Sequence, residues 1–364
     1  KKRILVKSIP APLKFVFDKE TQPQHIALGY GFTLVCANKS KKQYLKGFGI
    51  NSSSQVGPQT SKSDIDFLIK PTNIHLPESL PIIGLAAGKA HSIVACKDRL
   101  FTFGNNCYGQ CGRAVIEGEI YKHSNVVHSV PVESGVRGVT CGCDHSVLVT
   151  EKGDLFSCGW GADGQTGHGH YENTHVFSPV LGDTEGVDII KVVSAGDTNL
   201  ALSRDGEIFG WGNSEYDQLR IPSMEPQINV SRHIPLKIGK VVDIACNCTA
   251  CIALNKSGEV FVWGYGILGL GGMVSSVKEP TELPRTLFGK PSSNVTAVFG
   301  GSSAFAVVNN LGNAYIWGKN KNGSLGLGNS KENQYFPFRL PISGKVLNVV
   351  FGFEHTSAIV KQNI

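Results

Sequence analysis

The cysteines are the residues whose spacing first suggests chemistry. Cys246, Cys248 and Cys251 are spaced like thiolate metal ligands, and Cys141 and Cys143 could form the other half of such a site. However, both segments read as β-strands, which favours small buried core residues over metal ligands. Because the chain is long enough to bury a large core unaided, its ten cysteines favour a reducing compartment over a disulfide framework.

A histidine-rich segment and two glycine motifs are the other candidates. His168, His170 and His175 could bind a metal, but no carboxylate accompanies them at a tight ligand spacing, and we predict neither a metal site nor a cofactor. Gly159–Gly164 and Gly264–Gly269 match the dinucleotide pattern G-x-G-x-x-G, which requires a helix at the third glycine. Each match instead lies at the same phase of a β-repeat. With no nucleophile–base pair or paired catalytic carboxylates, the sequence predicts a non-catalytic protein.

The glycine motifs belong to an internal repeat. Glycines at positions 49, 104, 159, 212, 264 and 318 each follow an apolar or aromatic run, at intervals of 52 to 55 residues. A second element, in its fullest form apolar-x-Ala/Cys-Gly-x-x-His, precedes each run; it departs from the histidine at Asn199, Thr249 and Ala304. Both elements have β-strand character, and a repeat of about 50 residues carrying four strands is typical of a propeller blade.

The sequence therefore predicts an all-β fold: one seven-bladed β-propeller over residues 1–364, with four strands per blade and repeats of about 54 residues. The chain stops before the last blade is complete. Residues 3–17 could supply its outer strands, or those strands could lie upstream of residue 1. The repeats are expected at approximately 26–81, 82–135, 136–188, 189–240, 241–294 and 295–345, with a partial copy at 346–364.

The net charge of +6 permits contact with RNA or an acidic surface without arguing for either. Two small basic clusters lie beside repeat strands, and they would contact RNA through its phosphates. The alternative, that they are solvated loops, stays open. The candidate RNA-binding residues are Lys39, Lys41, Lys42 and Lys46 in one cluster and Lys319 and Lys321 in the other.

From about residue 27 to residue 359, the paired repeats resemble those of the regulator-of-chromosome-condensation family. Its members are seven-bladed propellers, and its founding member exchanges nucleotide on the Ran GTPase. Segments 105–113, 159–167 and 260–269 match beyond the repeat pattern and resemble a mitochondrial, exchange-factor-like branch of the family.

The resemblance also implies a partner-binding site. In the founding member, acidic and histidine residues at the Gly-x-x-His turns face the GTPase. A structural role for the histidines, as hydrogen bonds that tie turns within a blade, is the open alternative. The founding member also carries a β-wedge, whereas the longest inter-repeat segment here, Pro58–Pro81, predicts no extra hairpin. The matching residues of this chain are His91, Asp144, His145, Asp197, Glu354 and His355.

The resemblance implies a protein of the mitochondrial matrix, with peripheral association to the inner membrane, and two roles. In the first, the propeller is a scaffold in maturation of the large-subunit mitoribosomal RNA and in mitoribosome biogenesis, with rRNA-modifying enzymes and the rRNA itself as partners. In the second, it exchanges guanine nucleotide on a dynamin-type GTPase of inner-membrane fusion. From the sequence we expect the scaffold, with exchange as the alternative, and no DNA partner.

Overall fold

A computed structural model describes residues 21–57, 66–122, 124–219, 225–328 and 332–362. These residues form short antiparallel strands, and the helical segments among them are two short 3₁₀ segments at Arg285–Phe288 and Lys321–Gly323. The predicted all-β class is confirmed. Across the described ranges, no helix is both long and apolar enough to cross a membrane.

The first three blades are four-stranded antiparallel sheets, each with its strands paired in chain order. Blade 1 contains β1 (Gln22–Leu28), β2 (Phe32–Lys39), β3 (Lys42–Ile50) and β4 (Phe67–Asn73); blade 2 contains β5 (Ile82–Ala87), β6 (His91–Cys96), β7 (Arg99–Gly104) and β8 (His128–Pro131); blade 3 contains β9 (Val136–Cys141), β10 (His145–Thr150), β11 (Leu155–Gly159) and β12 (Thr174–Pro179).

The remaining sheets repeat this order, and the last is shorter. Blade 4 contains β13 (Ile189–Ala195), β14 (Thr198–Ser203), β15 (Ile208–Asn213) and β16 (Gln227–Ile234); blade 5 contains β17 (Val241–Cys246), β18 (Ala250–Asn255), β19 (Val260–Tyr265) and β20 (Ser276–Leu283); blade 6 contains β21 (Val295–Gly301), β22 (Ala304–Asn309), β23 (Ala314–Gly318) and β24 (Gln334–Arg339); the two-stranded sheet contains β25 (Lys345–Phe351) and β26 (Thr356–Lys361).

The sheets are arranged as a closed ring. The first strand of each blade packs against the first strand of the next, and β25 lies between β21 and β1. The predicted propeller with four-stranded blades is confirmed, but the predicted count of seven such blades is wrong: the described residues form six, and a two-stranded sheet completes the ring. Residues 3–17, considered as the source of its outer strands, lie outside the described residues.

The core lies between neighbouring blades. A β-sheet has two faces, and the second strand of a blade is covered on both of them by its neighbours, so β6, β10, β14, β18 and β22 are buried at every residue. Trp263 of blade 5, for example, packs in one cluster with Trp211 and Leu200 of blade 4. Each blade is therefore stabilised by apolar surface that belongs to the next one.

Hydrogen bonds from the third strands add to this packing. Trp211 Nε1 donates to the Gln165 carbonyl of the preceding blade at 3.0 Å, and Trp263 Nε1 donates to the Gln218 carbonyl at 2.8 Å. Trp317 occupies the same position in blade 6, but its buried Nε1 has no acceptor. The acceptors of Trp211 and Trp263 are main-chain carbonyls six residues after the third-strand glycine of the preceding blade; Leu270 stands at that position in blade 5, and its carbonyl does not accept from Trp317.

Replacing these two tryptophans with phenylalanine tests this difference. Both substitutions remove the same volume, but Trp263→Phe also removes a satisfied buried hydrogen bond, whereas Trp317→Phe removes an unsatisfied donor. We expect Trp263→Phe to lower the free energy of unfolding by about 1–2 kcal/mol more than Trp317→Phe. Urea unfolding followed by circular dichroism measures both; equal losses would show that the Trp263 bond contributes nothing net.

Candidate functional site

One end of the ring, here called the upper face, carries the turns between first and second strands and the loops between third and fourth strands. In each complete blade, the carbonyl of one turn residue accepts a hydrogen bond from the N–H that follows the third-strand glycine; Trp160 N–H donates to the Asp144 carbonyl at 2.9 Å, for example. The equivalent turn residues in blades 1 to 6 are Gly31, Ala90, Asp144, Asp197, Thr249 and Ser303. Glu354 precedes His355 in the corresponding turn of the two-stranded sheet.

Glutamines of the preceding blade hold two of the three predicted carboxylates. The side-chain amide of Gln110 donates to Asp144 Oδ1 at 3.3 Å, and that of Gln165 donates to Asp197 Oδ1 at 3.0 Å. Burial is the largest influence on Asp144 and raises the pKa of its carboxyl above the ordinary value, while the Lys89 charge acts in the opposite direction. Glu354 is exposed, and its carboxylate lies 3.6 Å from Lys321 Nζ.

The strand pairing corrects two positions of the repeat. The residue opposite the third-strand glycine is His91 in blade 2, Thr198 in blade 4 and Ala250 in blade 5, so the predicted equivalents Asn199 and Thr249 are each displaced by one residue. The blade 4 turn is one residue shorter than the turns of blades 2 and 3, whereas the blade 5 turn has the same length and has Asn247 at the position of Gly88 and Gly142. In the strand pairing, Asp197 immediately precedes Thr198 as Asp144 precedes His145, so the two aspartates are structurally equivalent.

The predicted histidines form hydrogen bonds between blades. His91 Nε2 lies 3.0 Å from Ser146 Oγ of blade 3, and His145 Nε2 lies 2.8 Å from Asn199 Oδ1 of blade 4. His355 Nε2 makes the same contact across the closure of the ring, 2.9 Å from Thr33 Oγ1 of blade 1. The histidines therefore form structural hydrogen bonds, but the alternative that they tie turns within one blade is wrong, because the bonds join neighbouring blades.

This packing removes two histidines from the candidate binding surface. His91 and His145 are 0% exposed, so neither can contact a partner directly. Their rings cover the preceding turn glycines: a Cβ on Gly88 would lie 2.2 Å from His91 Cε1, and one on Gly142 would lie 2.0 Å from His145 Cε1. That close approach explains the Gly-x-x-His pattern. His355 is only half-buried.

The predicted basic residues do not form one surface. Lys41 and Lys42 lie at the tip of the β2–β3 hairpin, on the opposite, lower face, with Lys39 beside them and Lys46 further along β3. Lys319 and Lys321 follow β23 and therefore lie on the upper face. The pairing of Lys321 with Glu354 unites a predicted RNA-binding residue with a predicted partner-binding one.

Several of the cysteines are buried, and His168 of the histidine-rich segment has hydrogen-bond partners within its own blade. Cys141 and Cys246 end first strands and are buried, as expected, and burial raises the pKa of both thiols well above the ordinary value. Cys107 is exposed, whereas Cys111 is buried, and burial raises the pKa of its thiol to about 12. His168 Nδ1 lies 2.9 Å from Thr174 Oγ1 and its Nε2 lies 3.1 Å from the Ser178 carbonyl. Within the described ranges, no cluster of three or more metal-ligating side chains occurs.

The connection between β7 and β8, residues 105–127, is the longest between consecutive described strands, and its described residues contain no strand. An ion pair between Arg113 and Glu119 closes this loop, and Lys122 Nζ ties it to Asp66 Oδ1 of blade 1 at 2.9 Å. The loop is thus anchored over the junction of blades 1 and 2.

Aromatic residues of the upper face were not anticipated from the sequence. Tyr108 packs against Trp160, with ring centroids 4.6 Å apart, and Tyr216 stacks on Tyr265 at 5.1 Å. In both pairs, the fourth residue after one third-strand glycine meets the first residue after the next one. The sequence therefore contains the spacing that identifies these pairs. However, the two residues of a pair belong to different repeats, so an alignment of single repeats does not show that they are in contact.

The structure is similar to known proteins. The family model "Regulator of chromosome condensation (RCC1) repeat" matches residues 97–149 and 312–359. The chain is 41% identical to the mouse "RCC1-like G exchanging factor-like protein" over 98% of its length and 80% of that protein; the human protein of the same name is also 41% identical. The crystal structure of human WBSCR16 matches with a TM-score of 0.92 and 41% identity, covering 97% of this chain and 90% of that one.

Protonation of the buried histidines is expected to destabilise the fold. Burial lowers the pKa of His91 to about 3, whereas it is about 6.5 in the unfolded chain. The stability contributed by the neutral ring is therefore complete above pH 6.5 and is lost as pH falls below it, by about 1.4 kcal/mol per pH unit. Urea unfolding between pH 8 and pH 5 measures this dependence in the native sequence and in His91→Gln.

The difference between the two proteins isolates this histidine. At pH 8 the variant reports the lost hydrogen bond and packing alone. By pH 5 the native sequence should have lost about 2 kcal/mol more than His91→Gln. Identical pH dependences would mean that His91 is protonated as readily in the fold as in the unfolded chain.

Proposed function

The chain belongs to the RCC1 repeat family, as its sequence resemblance indicated, and from this premise we propose that it is a non-catalytic protein-binding propeller that promotes guanine-nucleotide exchange on a GTPase. The carboxylates of Asp144, Asp197 and Glu354 carry the proposal. They occupy equivalent turns of one face, which are the positions that the resemblance assigns to GTPase contact. The curated relatives are themselves named as exchange-factor-like proteins.

The arrangement suits binding without covalent chemistry. An exchange factor acts by binding the nucleotide-free GTPase more tightly than the nucleotide-bound one, which lowers the affinity for nucleotide by the same factor. Such differential binding needs charges held in fixed positions. The glutamine amides that donate to Asp144 and Asp197 fix these two carboxylates relative to the ring. Little conformational entropy is therefore lost when a partner binds.

The identity of the GTPase rests on the sequence resemblance. It points to a dynamin-type GTPase of mitochondrial inner-membrane fusion, and hence to a protein of the mitochondrial matrix that reaches the inner membrane peripherally. Exchange is favoured over the RNA scaffold because the predicted carboxylates share one face, whereas the predicted lysines are divided between two.

A triple variant tests the proposal. Asp144→Asn, Asp197→Asn and Glu354→Gln together should reduce the rate of nucleotide release from the GTPase by at least about a hundredfold, since removing each charge-assisted contact costs about 1–2 kcal/mol. The assay follows release of a fluorescent GDP analogue. The control carries Glu133→Gln, Asp154→Asn and Asp205→Asn, three exposed acids of the lower face. Equal rates for both variants would exclude the carboxylates of the upper face as the contact.

A role as scaffold in large-subunit mitoribosomal RNA maturation is a second candidate, favoured by the β2–β3 hairpin. Its two-residue turn places Ser40 and Lys41 at φ 49° and 65°, a left-handed conformation that non-glycine residues rarely adopt. Such a turn is favoured in two-residue hairpin loops because its backbone twist matches that of the flanking strands. It presents Lys41 and Lys42, both exposed, on the lower face, where an RNA could bind beside rRNA-modifying enzymes while the upper face stays free.

Crosslinking in cells tests this second role. Lys41→Gln with Lys42→Gln should reduce recovery of large-subunit rRNA severalfold, because removing a lysine that binds phosphate weakens RNA binding at physiological salt. The matched control is Lys319→Gln with Lys321→Gln on the upper face. If the control loses recovery and the hairpin variant does not, RNA contacts the upper face; background recovery for the native protein would exclude direct RNA contact.

A further inference from the structure

We propose that the exposed pair Tyr216 and Tyr265, here called the tyrosine platform, docks a segment of a protein partner that carries arginine or lysine. The inference rests on the proposed function only in placing a protein partner on the upper face. The tyrosine platform joins blades 4 and 5 and comprises none of the predicted carboxylates.

The geometry of the pair is that of a recognition surface. The ring centroids are 5.1 Å apart with an interplanar angle of 16°, and the side chains are 41% and 46% exposed. The backbones beneath them are fixed: Tyr216 N–H donates to Gln218 Oε1 at 3.0 Å, and Tyr265 N–H donates to the Thr249 carbonyl at 2.9 Å. Exposed aromatic rings held in place provide contact area at a low entropic cost and attract cations to their faces.

Charge identifies the occupant. Glu215 and Asp217 flank Tyr216, and further acids lie in the described turns and loops of the upper face in blades 3 and 4. Lys278 of blade 5 is a cation beside this region, and its Nζ lies 3.4 Å from Asp217 Oδ2. A phosphate backbone would be repelled here, whereas a guanidinium or ammonium group would meet both ring faces and carboxylates. The acids are Asp144, Asp163, Glu172, Asp197, Glu215 and Asp217.

The other aromatic pairs of this face are less suited to a cation. Tyr108 and Trp160 meet edge to face and are only partly exposed, and Tyr30 and Phe353 are also edge to face, with centroids 6.2 Å apart. Neither pair has acids on both sides in the sequence, as Tyr216 has in Glu215 and Asp217. The geometry and the charge thus coincide at the tyrosine platform.

Binding of a synthetic probe tests the proposal. The probe is a fluorescein-labelled peptide of alternating arginine and glycine, titrated with the full chain in a fluorescence anisotropy assay. Tyr216→Ala with Tyr265→Ala should weaken binding about fivefold or more, and Tyr216→Phe with Tyr265→Phe should preserve it, because the phenyl ring keeps the face that attracts the cation. Tyr335→Ala, a substitution at a similarly exposed tyrosine of β24, is the matched control and should change nothing.

A third variant tests the charge argument. Lys278→Ala releases Asp217 from its ion pair, and we expect it to strengthen probe binding about twofold to threefold. The increase should vanish in about 0.5 M salt, where exposed charges are screened. A decrease in affinity would contradict the assignment of a cationic occupant.

Competing occupants are distinguished by two further probes. A glutamate–glycine peptide and oligouridylate of matched length should not bind; binding of either at comparable affinity would overturn the proposal. So would unchanged arginine-peptide binding in the alanine variant.

Failure of the proposed function gives a different pattern. Without exchange activity, the native chain would bind the probe but release no nucleotide from the GTPase, and the tyrosine platform would still stand. Conversely, an alanine variant that keeps exchange and probe binding overturns the platform alone.

Discussion

The structure depends on hydrogen bonds and packing that cross from each blade to the next. A single four-stranded sheet of this size leaves both of its faces uncovered, so it cannot be stable alone. Here the boundary between blades 2 and 3 is linked by a buried chain in which His91 reaches Ser146, whose hydroxyl donates to the Gln110 carbonyl at 2.7 Å. Removing one member leaves the others unpaired, which costs more than the single bond contributes.

The period of the repeat and the strand character of its two elements were sufficient to predict a propeller with four-stranded blades. The alternation of apolar and polar residues and the spacing of the glycines are local properties of each repeat, so they do not depend on the rest of the chain. The number of complete blades and the equivalence of Asp197 with Asp144 were not predictable in the same way. Both depend on where strands pair, and a turn that gains or loses one residue shifts an alignment without disturbing the pattern.

Prediction of the candidate site failed where burial decides the role. His91, His145 and His355 share one phase of the repeat, and the sequence gives no indication that the first two are wholly covered. The cover is supplied by a neighbouring blade, whose contacting residues Ser146 and Asn199 lie 55 and 54 residues away in the chain. Asp144 and Asp197 lie in turns at the ends of strands, where a propeller presents its faces, and their role in partner binding stays a prediction.

Binding surfaces in such a ring arise at the boundaries between blades. Tyr216 and Tyr265 belong to different repeats, as do Gln165 and Asp197, and each pair exists only because the ring fixes the distance between adjacent blades. The interior bonds that stabilise those boundaries therefore also set the geometry of the upper face. Residues in the loops of that face can be substituted individually, because the contacts between blades keep the loops in position. One fold can in this way keep the carboxylates of its turns and still acquire an exposed aromatic and acidic surface at another blade boundary.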